Sequence, residues 1–418
     1  MEKLIIQGQV PLEGEVVISG SKNASVAVLP AAVLLDGPCT IENIPEIDDV
    51  KTLECILSKL GATVKKIDMN SLYLDCTGIK SYSASYEMIK RLRASYYLLG
   101  ALVGKFGKAE VAFPGGCDFG FRPMDQHIKG FEALGAKIEI EHGIIKVRAN
   151  KLIGAQIYLD VVSVGATINI MLAAVRASGT TTIENPAKEP HVVDVANFLN
   201  AMGADIKGAG TDVIKINGVE SLPGRGTYSI IPDQIEAGTF MIAAAATKGD
   251  VTVKDIIPKH MESLSAKLTE VGALLERGED YIRVIGRNKI KRANIKTLPY
   301  PGFPTDLQPQ AVVMLCTAQG TSTVTEGIWD MRFAYIDELK RMGAKIRLEG
   351  RMAVIEGTPE LSGAPVSASD LRAGAALVIA GLIAEGKTEV HGVKYIDRGY
   401  QHFCEKLKNL GARIQKIT

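Results

Sequence analysis

The 418-residue sequence predicts an α/β protein of two inside-out domains, each with helices buried inside a surround of small sheets. Three observations predict it. A Gly-Ala pair recurs at Gly61-Ala62, Gly135-Ala136, Gly203-Ala204, Gly272-Ala273, Gly343-Ala344 and Gly411-Ala412, at spacings of 68 to 74 residues. A fixed period of this length marks a repeat architecture and sets the fold before any motif is read. Each copy also opens on a long apolar run that closes on Gly, at 21–37, 91–107, 163–179, 233–249, 305–320 and 369–386. Finally, the last copy stops six residues after Gly411-Ala412, and its missing strands stand at the other end of the chain.

The repeat unit justifies each element in turn. Runs such as GTFMIAAAATKG and GAALVIAGLIAEG are apolar all round, as a buried helix is. Pro30, inside the first run, argues for a kink. A short strand follows each run, as in TTTIEN and DVTVKD. An amphipathic helix comes next. Val50, Leu53, Leu57 and Leu60 carry its helical spacing in the first copy, and the Gly of the pair suits a C-cap. Two alternating strands, as in AKIRLEG and MAVIEG, complete the unit. Residues 4–23 read like residues 353–372, so the N-terminus is expected to finish the sixth repeat. With this length beyond one core, the division expected is residues 21–230 for repeats one to three, and 1–20 plus 231–418 for repeats four to six.

Composition excludes several function classes. Lys+Arg 48 against Asp+Glu 47 gives +1, which points to neither nucleic acid nor a membrane surface. The basic stretch 287–296 reads as a solvated loop. No apolar stretch is long enough to span a bilayer, and MEKLIIQG has no signal-peptide pattern. Six scattered Cys, without metal or disulfide spacing, suit a reducing cytoplasm. The six His show no zinc spacing, and no phosphate loop or dinucleotide fingerprint is complete.

Chemistry is sought where a copy departs from the others. The second copy is longest between its helices, and the extra residues fall in FPGGCDFGFRPMDQH, 113–127. Three glycines there permit close approach to a ligand and suit a loop that opens and closes. Cys117, flanked by Gly-Gly and Asp-Phe-Gly, is read as a functional thiol rather than a buried hydrophobe. A second pattern lies in the first turns of the buried helices, which carry Lys22 and Asn23, Arg93 and Ser95, Ser163, Asp233 and Glu236, Asp306 and Gln308, and Asp370 with Arg372. Ser369 and Thr305 are assigned as N-caps. Lys22, Arg93 and Arg372 oppose the helix dipole, which makes sense if an anionic ligand sits among them. Arg122, Arg332 and Arg398 stand at the same end. Equivalent helices pointing the same way would bring these termini to one shared cleft.

The motifs SGSKNAS (19–25), RAS (93–95), PGGCDFGFRPMDQHIKG (114–130), SVGAT (163–167), FPTDLQPQ (303–310), RF (332–333), SDLRA (369–373) and DRGY (397–400) carry a resemblance along the whole length. The chain resembles the UDP-N-acetylglucosamine 1-carboxyvinyltransferases, enolpyruvyl transferases of bacterial cell-wall synthesis. That family has two inside-out α/β domains of three repeats each. The resemblance implies transfer of the enolpyruvyl group of phosphoenolpyruvate to the 3-hydroxyl of UDP-N-acetylglucosamine, with release of phosphate and with no metal or cofactor. It implies Cys117 as acid and Asp306 as base, and Cys117 as the target of thiol-alkylating epoxide inhibitors. Lys22, Asn23, Arg122, Arg332 and Arg398 resemble the phosphoenolpyruvate site. Arg93, Arg122, Pro123, Met124, Asp125, Gln126, Ser163, Val164, Gly165, Asp306 and Ile328 resemble the nucleotide-sugar site. One departure is Val161, which stands where some members carry a Lys before V-S-V-G. Three alternatives stay open: a 5-enolpyruvylshikimate-3-phosphate synthase, which lacks the PGGC loop; an RNA 3′-phosphate cyclase; and a non-catalytic anion-binding repeat protein.

Overall fold

Six four-stranded sheets of one topology make up the strand content of the computed structural model, which describes residues 2–84, 89, 96–112, 124–286 and 289–417. In every sheet a short edge strand lies parallel to its neighbour, and the two remaining pairings are antiparallel. In one repeat, Asn294–Lys296 pairs parallel with Thr321–Thr325, which pairs antiparallel with Met352–Glu356, which pairs with Lys345–Glu349. The sequence shows three strands per repeat; the parallel edge strand is the fourth. Its usual length of two or three residues is too short to display an alternating pattern.

The helices between these strands are of two kinds. Helices Gln234–Ala246 and Leu371–Ile383 are buried from their second residue to their last, in keeping with their uniformly apolar sequence. Helix Lys22–Ala31 contains Pro30 in its last turn and passes into a 3₁₀ turn, Ala32–Leu34. Helix Gln308–Leu315 starts later than its apolar run, because a 3₁₀ turn, Thr305–Leu307, and Pro309 occupy the entry. The second kind, such as Asp48–Leu60, buries one face only.

All six Gly-Ala pairs end such outer helices in the same way. The Gly has φ between 88° and 112° in each. Its N–H bonds the carbonyl three residues back, and the Ala N–H bonds the carbonyl five back, at 2.9–3.1 Å for the Ala bonds. That is the Schellman pattern, which a residue with a Cβ enters only under strain. The repeated dipeptide is therefore the repeated helix end.

Two compact units contain these repeats. One takes in Met1–Ser19 and Pro232–Thr418; the other comprises the described residues from Gly20 to Ile231. The first has a core of helices Gln234–Ala246, Gln308–Leu315 and Leu371–Ile383. Strand Lys3–Gln7 completes the sheet of the sixth repeat, lying between Lys387–His391 and Arg413–Ile417. It is the counterpart of Met352–Glu356, as the likeness of residues 4–23 to 353–372 indicates. The second unit packs helix Tyr97–Phe106 closely on Val164–Ala174. A Cβ at Gly100 would lie 2.4 Å from the Asn169 carbonyl, and Asn169 Oδ1 accepts the N–H of Gly100 at 2.8 Å.

Among the described residues the chain passes from one unit to the other after Ser19 and after Ile231, and each passage exchanges a strand. Glu13–Val17 precedes helix Lys22–Ala31 in sequence but pairs with Asp250–Lys254. Thr227–Ser229 precedes helix Gln234–Ala246 but pairs with Cys39–Glu42. Among the described residues, no helix is long and apolar enough to cross a membrane.

Candidate active site

In the unit that holds Asp306, the 3₁₀ turn Thr305–Leu307 sets this carboxylate just ahead of helix Gln308–Leu315, where the helix dipole favours negative charge. Arg332 donates from Nη2 to Asp306 Oδ1 at 2.7 Å, and Arg372 donates to Oδ2 from Nη2 at 3.0 Å and Nε at 3.2 Å. Both arginines are buried, at 4% and 3% exposure, while the Asp306 side chain keeps 27%. Burial pushes the Asp306 carboxyl up, but the Arg372 and Arg332 guanidinia outweigh it and hold the group well below the usual carboxylate range. It stays ionised at any physiological pH.

A second carboxylate orders the surroundings. Glu326, 1% exposed, accepts from Thr305 Oγ1 at 2.9 Å and Thr297 Oγ1 at 2.7 Å. It also accepts the N–H groups of Ile328 at 2.8 Å and Trp329 at 3.2 Å. Arg332 Nη1 donates to Thr305 Oγ1 at 2.8 Å, so Glu326, Thr305, Arg332 and Asp306 form one chain of bonds. Ile328 is half-buried on the loop that Glu326 holds. Arg398 is half-buried in the turn after Val393–Ile396.

These contacts correct two N-cap assignments. The cap of helix Leu371–Ile383 is Asp370, whose Oδ1 accepts from Arg372 N at 2.8 Å and Ala373 N at 3.0 Å, not Ser369. Ser369 donates to Asp370 Oδ2 instead. Thr305 is spent on Glu326 and Arg332, and Pro304 occupies the cap position. A charged acceptor one residue later outcompetes a hydroxyl for the free N–H groups.

The unit that holds Lys22 offers a comparable arrangement. Ser21 caps helix Lys22–Ala31, its Oγ accepting from Ala24 N at 3.2 Å. Lys22 Nζ lies 3.0 Å from Asp49 Oδ2, with side-chain exposures of 13% and 4%. Asn23 is half-buried in the same first turn. The cations at the starts of these helices thus face carboxylates of their own units, Asp49 for Lys22 and Asp306 for Arg372, which offset part of their unfavourable position against the dipole.

Met124, buried, and Asp125 and Gln126 open the helix Asp125–Ala133. Gln126 Oε1 accepts the N–H of Asp160 at 2.9 Å, and its Nε2 donates to Asp160 Oδ2 at 3.1 Å. Lys129 adds an ion pair to Asp160 at 2.8 Å. The helix start is thereby stapled to the segment that leads into Ser163. Ser163 caps Val164–Ala174 through Ala166 N at 3.3 Å, and Val164 is half-buried. A Cβ at Gly165 would lie 2.9 Å from both His127 Nε2 and the Tyr96 hydroxyl, so only Gly lets these rings reach the helix. Val161 is 55% exposed. Arg93, Cys117, Arg122 and Pro123 lie outside the described residues.

The geometry assigns supporting roles that sequence reading left unassigned to Glu326, Asp49 and Asp160, and it ties Arg372 directly to Asp306. Each partner lies far away in sequence, and a single chain offers no signal for such pairs. Among the described residues, no group of His, Cys, Asp and Glu could hold a metal ion.

The family model for EPSP synthase (3-phosphoshikimate 1-carboxyvinyltransferase) matches residues 6–407. UDP-N-acetylglucosamine 1-carboxyvinyltransferase 3 of Caldanaerobacter subterraneus subsp. tengcongensis is 60% identical over 417 residues, covering 100% of both chains. The UDP-N-acetylglucosamine 1-carboxyvinyltransferase of Clostridium botulinum is 58% identical over 418 residues, again covering 100% of both. Among solved structures, the enolpyruvyl transferase NikO from Streptomyces tendae matches with a TM-score of 0.91 at 25% identity, covering 100% of this chain and 99% of that one. EPSP synthase from Acinetobacter baumannii shares the fold, with a TM-score of 0.77 at 20% identity and 100% of both chains covered. With the family model spanning nearly all of it and identity this high along its full length, the chain belongs to the UDP-N-acetylglucosamine 1-carboxyvinyltransferases within the wider enolpyruvyl transferase family.

Proposed function

We propose that this protein transfers the enolpyruvyl group of phosphoenolpyruvate to the 3-hydroxyl of UDP-N-acetylglucosamine and releases phosphate, the first committed step of peptidoglycan precursor synthesis. The observation that carries this reading is 55–60% identity, over nearly the whole chain, to relatives named for that activity. The acceptor is what separates this group from the shikimate 3-phosphate enzymes that share its fold.

The chemistry assigns roles to the residues. Protonation of the methylene carbon of phosphoenolpyruvate makes C2 electrophilic, and Cys117 is the acid by its motif. The sugar 3-oxygen then bonds to C2 while its proton passes to Asp306. The hydroxyl becomes strongly acidic as that bond forms, so a carboxylate weakened as a base by two arginines suffices. Loss of a proton from the new methyl group and departure of phosphate restore the double bond, now on the sugar ether. Lys22, Arg122, Arg332 and Arg398, with Asn23, hold the donor's carboxylate and phosphate. Arg93, Arg122 to Gln126, Ser163 to Gly165, Asp306 and Ile328 hold the nucleotide sugar. A thiol-alkylating epoxide would block the reaction at Cys117. The place of work is the cytoplasm, in keeping with free thiols at Cys39, Cys55, Cys76, Cys316 and Cys404.

The test is phosphate release from phosphoenolpyruvate without added metal, in parallel with UDP-N-acetylglucosamine and with shikimate 3-phosphate. Release with the nucleotide sugar alone is expected. Release with shikimate 3-phosphate alone would leave the reaction type standing and reassign the acceptor. No release with either would defeat the proposal.

A further inference from the structure

Behind the Asp306–Arg372 pair lies a buried polar cluster that the reaction as described does not use. The guanidinium of Arg372 lies 5.5 Å from the centroid of the Tyr400 ring. Tyr400 is 2% exposed, and its ring also packs against Phe403 at 4.7 Å. Its hydroxyl is 2.9 Å from Thr239 Oγ1 and accepts from Gln310 Nε2 at 3.3 Å. Thr239 and Gln310 are fully buried, and Gln310 Nε2 also donates to Thr239 Oγ1 at 3.1 Å. Thr239 is anchored in turn to the Ile235 carbonyl at 2.7 Å.

Three buried helices of the unit therefore meet at one phenol. Thr239 belongs to Gln234–Ala246, Gln310 to Gln308–Leu315, and Arg372 to Leu371–Ile383. A hydroxyl placed inside so apolar a core costs stability unless each bond is made. A Phe there would supply the same ring contact to Arg372 without that cost. What the hydroxyl adds is an anchored position for the far end of the ring and a side-chain hydrogen bond of its own to Arg372, and with them a fixed plane for the guanidinium. That plane decides whether Nε and Nη2 both reach Asp306 Oδ2, as they do.

We propose that Tyr400 is a positioning residue for the enolpyruvyl transfer: it fixes Arg372, which in turn holds the Asp306 carboxylate in the orientation that receives the sugar hydroxyl proton. This rests on Asp306 being the base. The charged groups facing the pair are Arg332 on Asp306, Asp233 beside Arg372, and Glu326 behind Thr305. None of them changes when the Tyr400 hydroxyl is removed.

The test uses the full-length enzyme carrying Tyr400→Phe, with Thr239→Val as a second variant should the first not fold, and Asp306→Asn as a control. Rates are measured from pH 5 to 8 for both substrates. Tyr400→Phe is expected to lower kcat about tenfold with both KM values within twofold, part of the 10²- to 10⁴-fold that acid–base catalysis supplies. The loss should be even from pH 5 to 8, because both guanidinia remain and hold the Asp306 carboxyl well below that range. No loss, a loss confined to one end of the pH range, or a rise in KM at unchanged kcat would overturn the proposal. An active Asp306→Asn enzyme would instead remove the base assignment itself; a dead one beside a Tyr400→Phe enzyme of unchanged kcat overturns the positioning role alone.

Discussion

The Tyr228 hydroxyl donates to Asp194 Oδ1 at 2.5 Å in the interior of the Lys22-bearing unit, where Asp194 is only 1% exposed. Asp194 Oδ2 also accepts the N–H of Ile231, at the point where the chain leaves that unit. Burial pushes the Asp194 carboxyl up to about 6, although both hydrogen bonds pull it down.

That shift has a sign. The folded pKa lies above the unfolded value near 3.9, so the associated stability is complete below that value and is lost as pH rises through about 6. Asp194→Asn cannot protonate. Relative to the wild type, its unfolding free energy should fall by roughly 1–2 kcal/mol between pH 7.5 and pH 5, because only the wild type gains from protonation there. Urea unfolding at the two pH values measures this, and a gap that does not change with pH would show that Asp194 is already an ordinary carboxylate.

Glu236 is a buried carboxylate with a charged partner. It is 2% exposed; its Oε1 accepts from Lys406 Nζ at 2.6 Å and its Oε2 from the N–H of Ser19 at 2.8 Å. Burial raises its pKa and the Lys406 ammonium pulls it back. Lys406→Met should destabilise by about 3–5 kcal/mol at pH 7.5, since it strands a buried charge. Part of that should return as pH falls, because without the ammonium the buried carboxyl takes up a proton more readily still. The double variant Lys406→Met, Glu236→Gln should recover more than either single change.

The helix-end glycines separate two costs. At Gly343 a Cβ would meet nothing within 4 Å, so Gly343→Ala carries only the strain of φ +89°, about 1–2 kcal/mol. At Gly61 the same Cβ would lie 2.8 Å from the Gly78 carbonyl, and Gly61→Ala should cost more. Equal losses by thermal unfolding would mean that the Gly78 segment yields freely.

Thiol reactivity should be uneven. Cys39, Cys76 and Cys316 are buried, and burial pushes each thiol up to about 12. In the folded protein they should resist iodoacetamide, whereas the exposed Cys55 and the proposed acid Cys117 should label. Mass spectrometry of the native protein reads this out, and prior epoxide treatment should protect Cys117 but not Cys55.

Features with local causes were legible in the sequence. The Gly-Ala pairs announce Schellman ends because both hydrogen bonds close within six residues. Buried helices announce themselves by having no polar face. The parallel edge strands were missed because they are held by neighbours across the chain, not by their own pattern. The same limit applies to the site. Asp306 was readable as a motif residue, but its Arg372 partner lies 66 residues away and Lys22's Asp49 is on another helix. Ser369 was preferred to Asp370 because both are good caps in sequence, and only the backbone angle at Asp370 decides between them.

The insertion of strand Lys3–Gln7 between Lys387–His391 and Arg413–Ile417 has a consequence for how the polypeptide can be rewired. One sheet cannot be completed until Lys3 and its partner Ile417 have both been synthesised, a slow, long-range closure. Yet Lys3 sits directly opposite Ile417 on neighbouring antiparallel strands, so a short linker could join them. A circular permutant joined there and opened between Ser19 and Gly20 would read the described residues of each unit as one stretch of chain. The order of synthesis would then match the order of folding, and either half could be cut free as a gene fragment.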